Sequence, residues 1–235
     1  MVSELSVIIS ALNEEKAVRQ VLIGVLEIFD RLKIKGDIIF LNNHSTDNTG
    51  KIADTVAKRD KRVKVIHRIN RKNKDLGSSL KEGILHATGN YILIMDCDMS
   101  HNPAEIKNLF DKRKEADIIV GSRYSGGSAD IALSRNILSK TCNYLINYLF
   151  GLEVKDISNS FKLYKKEVLK SLKLTNDGFG LHVEIILKAA NRGYVMKETP
   201  IHLRRSLTDS KMVYRKQIPL YAKAVFAGIK DKFMI

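Results

Sequence analysis

Residues 91–98 of the chain read YILIMDCD, an apolar run that ends in two aspartates on either side of a cysteine. An uninterrupted apolar run of this length is typical of a short strand buried on both faces. We therefore predict a strand over residues 91–95, with Asp96 and Asp98 beyond its carboxyl end. Two carboxylates this close repel each other and lose hydration unless a cation is shared between them. Because oxygen ligands suit Mg²⁺ and Mn²⁺, the run also predicts a divalent metal site.

Similar apolar runs recur along the first half of the chain, and segments with helical spacing of apolar residues separate them. This alternation predicts an α/β fold, in which helices cover both faces of a mostly parallel sheet. Ligands bind such a sheet beyond the carboxyl ends of its strands, and polar turns follow the first, second and fourth strands there. The predicted strands cover residues 5–10, 37–41, 63–67, 91–95 and 117–121, and the helices residues 14–35, 48–59, 76–87 and 103–114.

The alternation changes after Gly121, where a flexible loop occupies residues 125–128. We predict that an amphipathic helix, a short strand, two helices, a bent pair of strands around Pro200 and a final helix follow. In that order they cover residues 134–150, 161–164, 166–172, 182–192, 194–197 with 201–204, and 217–232. The final helix is predicted to carry one apolar stripe, formed by Ile218, Tyr221, Ala222, Val225, Phe226 and Ile229.

The chain has 235 residues and a formal net charge of +14. A surface this basic suits three kinds of partner: nucleic acid, an anionic membrane or anionic small substrates. The aromatic residues do not alternate with the basic ones, which argues against a platform that stacks single-stranded bases. We therefore expect no nucleic-acid partner.

Targeting and motif signals narrow the class of protein further. No apolar run reaches the roughly 18–20 residues of a membrane span, and residues 1–10 are too short and too soon polar for a signal peptide. We therefore expect a cytosolic protein in which Cys97 and Cys142 are small packed side chains. The sequence contains no Walker A, G-x-S-x-G or G-x-G-x-x-G signature, so P-loop kinase, hydrolase and dinucleotide-binding functions have no support.

Polar and basic residues near the predicted strand ends each have two interpretations. Asn42, Asn43 and Asp47 follow the second strand, where they either make ordinary Asx turns and caps or recognise a base by hydrogen bonds. Five basic residues of the second half are either solvated charges or phosphate clamps: Arg123, Arg135, Arg204, Arg205 and Lys211.

Taken together, these pieces resemble family 2 glycosyltransferases. The resemblance is carried by SVIISALNEE (residues 6–15), LNNHSTDNT (41–49), residues 76–83, YILIMDCDMSHNPAE (91–105) and GSRY (121–124). Later segments are similar to the dolichol-phosphate mannose synthase branch, which includes polyprenyl-phosphate glucosyltransferases. They are residues 134–136, DISNSFKLY (156–164), GYVMKETPI (193–201) and residues 210–211.

The resemblance implies a GT-A fold and an inverting transfer of a hexose from a nucleotide sugar, of the GDP-mannose or UDP-glucose type, to a polyprenyl or dolichyl phosphate. It implies one domain over residues 1–235, in which residues 1–123 bind the nucleotide sugar and residues 124–235 form the acceptor side. Asp96 and Asp98 then bind Mg²⁺ or Mn²⁺ and the diphosphate. The other nucleotide-binding residues are Ala11, Asn13, Glu14, Asn42 and Asp47, the catalytic residues Asp98, Arg123 and Arg135, and the acceptor-phosphate residues Arg135, Arg204 and Lys211.

Two departures from the family pattern bear on the donor. Asn42-Asn43 replaces the usual Asp-Asp, and Ser100 stands where the mannose-synthase branch has a Gln beside the metal. An Asn side chain offers one acceptor and one donor, which matches the N3–H and a carbonyl of uracil better than the two donors of a guanine edge. Asn42 therefore favours a UDP-sugar over a GDP-sugar.

The acceptor and the membrane leave alternatives open. A lipid phosphate is already an anionic nucleophile near pH 7, whereas an alcohol acceptor requires a carboxylate base, for which Asp156 or Glu184 is available. We expect peripheral attachment to the cytoplasmic face of an anionic membrane through residues 125–150 and the final helix. The alternative for the final helix is that it simply packs against the core. The rival functions are a family 2 transferase for a soluble glycan or glycolipid headgroup, and a non-catalytic basic protein that binds nucleic acid or membrane.

Overall fold

A computed structural model of the chain describes residues 3–68, 75–208 and 214–233. Its strands are β1 (Leu5–Ala11), β2 (Gly36–Asn42), β3 (Val63–His67), β4 (Tyr91–Asp96), β5 (Ile118–Ser122), β6 (Ser128–Ala129), β7 (Lys162–Lys165), β8 (Met196–Pro200) and β9 (His202–Leu203). Its helices are α1 (Val18–Leu32), α2 (Thr49–Arg59), α3 (Leu76–His86), α4 (Ile106–Asp111), α5 (Leu133–Phe150), α6 (Lys166–Ser171), α7 (Leu181–Asn191) and α8 (Tyr214–Phe233).

Within the described residues, seven strands form one sheet in the order β3-β2-β1-β4-β7-β5-β8, and β6 and β9 form a separate ribbon. All neighbours in the sheet are parallel except β7, which runs antiparallel to β4 and β5. The predicted α/β fold with a mostly parallel sheet is confirmed. The strand order reverses between β1 and β4, and the carboxyl ends of two such strands frame the usual ligand crevice of an open parallel sheet. Asp96 and Asp98 lie at that crevice.

Alternation along the strands divides the core into two layers. On β1, Val7 and Ile9 pack with α1 on one face, whereas Ile8 packs with α3 and α7 on the other. Successive side chains of a strand point to opposite faces, so a strand covered on both sides must be apolar at every position. The uninterrupted apolar runs of the sequence have this physical cause.

The predicted halves of the chain share this sheet. Strands β7 and β8 come from the second half and pair with β4 and β5 of the first. The boundaries of the predicted single domain nevertheless stay a prediction.

Of the helices that the structure describes, none is long and apolar enough to cross a membrane.

Two predicted helix starts differ from the structure. Asn13 does not cap α1, which begins at Val18, because Asn13 adopts a left-handed backbone conformation (φ 54°) within a loop. Asn102 does accept a hydrogen bond from Ala104 N, but Pro103 begins a single 3₁₀ turn that leads into the short helix α4.

The predicted strand pair around Pro200 is wrong. Strand β8 pairs with β5, and β9 pairs with β6 in the separate ribbon. Ile201 N still donates to Ser122 O at the end of β5, but Ile201 O accepts from Ser128 N of β6, and Ile201 itself is buried. The chain therefore leaves the sheet at Pro200 instead of turning back on itself.

The apolar stripe of the last helix is also partly wrong. Helix α8 faces α7 through Ala224, which is fully buried, and Gly228, where a Cβ atom would lie 2.8 Å from Leu187 Cβ. These small residues let the backbones of the two helices approach, and this rotates Phe226 and Ile229 of the predicted stripe outward.

Only one of the two cysteines is packed as the sequence predicts. Cys97 is buried, but Cys142 is exposed on α5.

Candidate active site

Asp98 is held in a defined orientation directly after β4. Its Oδ1 accepts hydrogen bonds from Ser100 N (2.9 Å) and Ser100 Oγ (2.5 Å), while Met99 between them adopts φ 64°. No described residue donates a hydrogen bond to Asp98 Oδ2. Ser100, predicted at a position beside the metal, therefore orients Asp98 through its hydroxyl and leaves one carboxylate oxygen for a ligand.

Asp96 ends β4 and lies beside His101 and Ser160. Its Oδ2 accepts a hydrogen bond from Ser160 Oγ (2.7 Å) and lies 3.9 Å from His101 Nδ1. Loss of hydration raises the pKa of Asp96 above its usual range, and the charge of Asp98 adds to this rise. The two carboxylates therefore resist being charged together, and a cation between them would relieve that cost.

His101 is a positioning residue in this arrangement. Its Nδ1 accepts a hydrogen bond from Asp96 N (3.3 Å), so the ring proton lies on Nε2, which is 3.1 Å from Asn159 Oδ1. The ring is buried and stacks on Phe161, with ring centroids 4.9 Å apart. With both nitrogens engaged, His101 fixes the end of β4 and is not set up as a metal ligand.

The donor set fits a hard divalent cation. Within residues 3–68, 75–208 and 214–233, no third His, Cys, Asp or Glu joins Asp96 and Asp98 to form a closed metal cluster. Mg²⁺ commonly binds to one or two carboxylates and completes its shell with water and substrate phosphates. Asp98 Oδ2 and the Asp96 carboxylate are therefore suited to hold Mg²⁺ or Mn²⁺ against a diphosphate, and less suited to a structural ion.

The loops that follow β1 and β2 are tied together. Ala11 and Asn42 are direct partners at the ends of these strands. Asn13 Oδ1 accepts a hydrogen bond from Thr46 N (2.7 Å), and Glu14 N donates to Thr49 Oγ1 (2.7 Å). The structure thus brings together the nucleotide-binding residues that the sequence predicts on these loops, at the crevice beside Asp96.

Asp47 joins the two loops through hydrogen bonds to its carboxylate. Its Oδ1 accepts from Thr49 N (3.0 Å) and Thr49 Oγ1 (2.6 Å), and its Oδ2 accepts from Glu15 N (3.2 Å). This is the Asx-turn and capping chemistry that the sequence left open for Asp47. Its predicted contact with a nucleotide stays a prediction.

A segment after β9 crosses the same edge of the sheet, where the sequence pattern indicated only a polar loop. Arg204 N donates to Ser100 O (2.9 Å), and Leu207 N donates to Asp98 O (3.0 Å). Thr208 Oγ1 then donates to Glu14 Oε2 (2.6 Å). These contacts connect the end of β4 to the loop after β1, and they place the exposed Arg204 beside the aspartates.

Arg123 is committed to a buried ion pair. Its Nε and Nη2 each lie 2.7 Å from an oxygen of Asp156, which is 0% exposed. Burial lowers the pKa of Arg123, but the bonds and charge of Asp156 outweigh this effect and raise it above its ordinary value. The predicted phosphate contact of Arg123 thus competes with a bidentate internal partner. The Arg135 side chain and Lys211 lie outside the described part of the chain.

A cavity of about 370 Å³ opens beside this ion pair, on the predicted acceptor side. It lies between the loop after β5 and the first turns of α5. Its lining combines a guanidinium, an ammonium and hydroxyl and amide groups, from Arg123, Tyr124, Gly127, Ser128, Ala129, Asn136 and Lys140. Such groups suit an anionic ligand.

Lys162 of β7 is a buried cation that sequence reasoning missed. Its Nζ donates to the carbonyl oxygens of Ile157 and Asn159, so it closes the loop that carries Asn159 and Ser160 to His101 and Asp96. Burial lowers the pKa of Lys162 to about 7, with Asp156 opposing the shift. In the sequence Lys162 is one of many lysines, and nothing marks it as buried.

Both carboxylates that the sequence offered as a general base are engaged. Asp156 is paired with Arg123, and Glu184 is 0% exposed. Glu184 accepts hydrogen bonds from Thr175 N, Asn176 N and Lys188 Nζ, and these bonds lower its pKa despite its burial. Neither group is placed to take a proton from an alcohol at the sheet edge.

Sequence comparisons match the chain to one protein family and to individual relatives. Residues 6–173 match the model of Glycosyl transferase family 2. The polyprenol monophosphomannose synthase of Mycolicibacterium smegmatis is 33% identical over 186 residues, which are 74% of this chain and 69% of that protein. The undecaprenyl-phosphate mannosyltransferase of Micrococcus luteus is 29% identical over 187 residues, covering 76% of each chain.

Solved structures share the fold. Glucosyl-3-phosphoglycerate synthase from Mycobacterium tuberculosis, in complex with Mn²⁺, uridine diphosphate and phosphoglyceric acid, matches with a TM-score of 0.71 at 15% identity and covers 98% of this chain and 78% of that one. The same enzyme with Mn²⁺ and UDP-glucose gives a TM-score of 0.72. The predicted GT-A fold is confirmed.

Proposed function

The chain belongs to glycosyl transferase family 2 and is a glycosyltransferase, and we propose that it transfers a hexose from a nucleotide sugar to a polyprenyl or dolichyl phosphate. The names of both curated relatives support a polyprenyl acceptor.

One observation carries the choice of acceptor: Asp156 and Glu184 are both buried in ion pairs. An alcohol acceptor needs a base within hydrogen-bond reach of its proton, whereas a phosphate monoester already carries the attacking charge. A phosphate acceptor instead needs cations that let two anions approach each other. The exposed Arg204 beside Asp98 and the cavity lined by Arg123 and Lys140 supply that charge on the acceptor side.

In the proposed reaction, Asp96 and Asp98 hold Mg²⁺ or Mn²⁺, which when bound offsets the charge that develops on the departing nucleoside diphosphate. The structural neighbours solved with Mn²⁺ and uridine diphosphate support such a metal. Ser100 and the Leu207 N–H keep the Asp98 segment in place during the reaction. The lipid phosphate attacks the anomeric carbon from the face opposite the leaving group, so the configuration inverts.

The acceptor is tested by release of the nucleoside diphosphate. With Mn²⁺ and a hexose nucleotide, we expect polyprenyl phosphate to accelerate release about 10²-fold or more over polyprenol of the same chain length, because a site built for a charged group discriminates strongly against an analogue that lacks it. A soluble glycan that stimulates release more than the lipid phosphate would instead support the alternative acceptor class.

We further propose that the enzyme attaches peripherally to the cytoplasmic face of an anionic membrane through the outward face of α5. Its inward face packs through the buried Asn143 and the partly buried Ile146 and Phe150. Large apolar side chains, each more than half exposed, recur along its outward face: Leu133, Ile137, Leu138, Tyr144, Leu145, Tyr148 and Leu149. An apolar helix face on a basic protein fits a membrane surface, where Lys and Arg contact anionic headgroups.

Flotation with anionic liposomes at physiological salt tests the attachment. We expect the wild-type protein to float with the liposomes, and the triple substitution Leu145→Ser, Tyr148→Ser and Leu149→Ser to reduce the bound fraction at least about tenfold, because each change removes apolar area from the lipid. Leu85→Ser is the matched control, since Leu85 is 85% exposed but lies on α3. A wild-type protein that stays with the aqueous fraction contradicts membrane attachment, and a triple variant that floats normally contradicts the assignment to α5.

A further inference from the structure

Asn42, His67 and Asp54 form a hydrogen-bonded chain at the base-binding end of the crevice. Asn42 and His67 are direct partners at the carboxyl ends of β2 and β3. Asn42 Nδ2 lies 3.0 Å from His67 Nδ1, and His67 Nε2 lies 3.0 Å from Asp54 Oδ1 on α2. On its other side, Asn42 Oδ1 accepts a hydrogen bond from Ser45 N (3.3 Å).

The direction of every bond in this chain follows from chemistry. The backbone N–H of Ser45 can only donate, so it must face the carbonyl oxygen of Asn42. The amide nitrogen of Asn42 therefore faces His67, whose Nδ1 must accept, which places the ring proton on Nε2. The Asp54 carboxylate then accepts a hydrogen bond from the Nε2–H group. The three contacts are mutually consistent in one orientation of the Asn42 amide and conflict in the flipped one.

The surrounding backbone leaves room for this arrangement. A Cβ atom on Gly50, in the first turn of α2, would lie 2.5 Å from Asn42 Nδ2 and 3.2 Å from His67 Cε1. Any larger residue at position 50 would displace the amide and the ring from each other. The hydrogen-bonded pair thus occupies space that only glycine provides.

We infer that His67 is a positioning residue that, together with the Ser45 N–H, fixes the amide orientation of Asn42, with Asp54 setting the tautomer of the ring, and that this orientation selects the hydrogen-bonding edge of the nucleotide base. The inference rests on the proposed function, and it takes Asn42 as the base contact that the family resemblance implies. An aspartate at position 42 has two equivalent oxygens and needs no such control. An asparagine does, because its flipped form offers the base a donor where the other form offers an acceptor.

With one N–H given to His67 and one lone pair to Ser45, the Asn42 amide keeps one donor and one acceptor for a ligand. Uracil presents N3–H and an adjacent carbonyl, whereas cytosine presents an acceptor and an adjacent amine at the same positions. Guanine and adenine differ in the same way at their N1 and C6 positions. Within each pair the rings have the same size, so the preference for one base reports the amide orientation and not the space available.

The experiment measures the dissociation constants of UDP, CDP, GDP and ADP by calorimetry with Mn²⁺, for wild type and for His67→Leu. We expect the wild-type preference within the favoured pair, UDP over CDP or GDP over ADP, to shrink about three- to tenfold in His67→Leu, since one hydrogen bond of ordinary strength then no longer opposes the flip. The control His86→Leu, at the exposed end of α3, keeps the wild-type preference.

The same substitution, His67→Leu, is also measured in a protein that carries Asn42→Asp, and this comparison separates positioning from a general structural role. There the side chain has no amide to flip, so we expect His67→Leu to leave the preference unchanged. The inference is overturned if His67→Leu weakens all four nucleotides equally, if it alters the preference equally on both backgrounds, or if the wild type shows no preference within either pair. A wild type that binds none of the four nucleotides would contradict the proposed function itself.

Discussion

Asp98→Ala is expected to lower the rate of sugar transfer by about 10²–10³-fold, the usual effect of removing one group that stabilises developing charge in a transition state. Asp98 Oδ2 receives no hydrogen bond from the described residues, and the residue lies just beyond the end of β4. Without that carboxylate, a metal ion would keep only Asp96 among the protein ligands proposed here. The measurement is the initial rate of product formation with saturating Mn²⁺ and donor.

Two further variants make this result specific. Asp98→Asn keeps an oxygen that can accept the hydrogen bonds of Ser100, so it preserves the turn while removing the charge, and we expect a similar loss of rate. Asp111→Ala removes a carboxylate of the same kind from an exposed ion pair with Lys107 and is expected to leave the rate unchanged. Full activity in Asp98→Ala would show that the metal and diphosphate site lies elsewhere.

The second large effect concerns stability and the buried pair of Arg123 and Asp156. Asp156→Asn keeps the size of the side chain but leaves the Arg123 guanidinium, which is 9% exposed, without a counter-ion. Breaking a buried ion pair in this way destabilises proteins by about 3–5 kcal/mol, so the free energy of unfolding in urea should fall by that amount. An arginine side chain stays protonated in proteins even without a partner, so Arg123 cannot escape the cost by losing its proton.

Glu115→Gln is the matched control for this loss of stability. Glu115 pairs with Lys197 at 3.3 Å, and both side chains are about half exposed, so water replaces the lost partner. We expect a change within about 1 kcal/mol there. If Asp156→Asn changes the free energy of unfolding no more than Glu115→Gln does, the buried pair does not stabilise the fold as described.

The sequence predicted most of the first half because its signals there are local. A strand covered on both faces must be apolar at every position, so YILIM and its counterparts locate the strands, and the polar residues after them locate the crevice. The aspartates of residues 96–98, the loops after β1 and β2, and their approach to one another follow from that pattern.

The second half was predicted less well because its determinants are distant in sequence. The partner of Arg123 lies 33 residues away, and the partner of Glu14 at the sheet edge lies 194 residues away. Neither pairing has a signature in the sequence. The inward face of α8 was missed for a related reason: Gly228 contributes no apolar side chain, so a hydrophobicity pattern cannot show that the helix packs most closely there.

Resemblance located residues that physical patterns alone did not, but it said little about their environment. It named Arg123 as a phosphate contact, whereas the structure gives that guanidinium a buried internal partner. It named Asn42 by analogy with an aspartate, whereas the structure shows an amide with His67 on one side and Ser45 on the other. The departures from the family pattern are therefore where the structure adds most.

We propose that this strand-end site transfers a sugar to a phosphate, and competition between two lipids distinguishes this reaction from transfer to an alcohol. Wild-type enzyme with Mn²⁺ and hexose nucleotide is given equal amounts of polyprenyl phosphate and polyprenol in one micelle, and the lipid product is identified by mass spectrometry. We expect one product, the polyprenyl phosphate plus one hexose, which mild acid cleaves because a glycosyl phosphate is acid-labile. A hexose attached to the polyprenol hydroxyl, stable to the same acid, would contradict it.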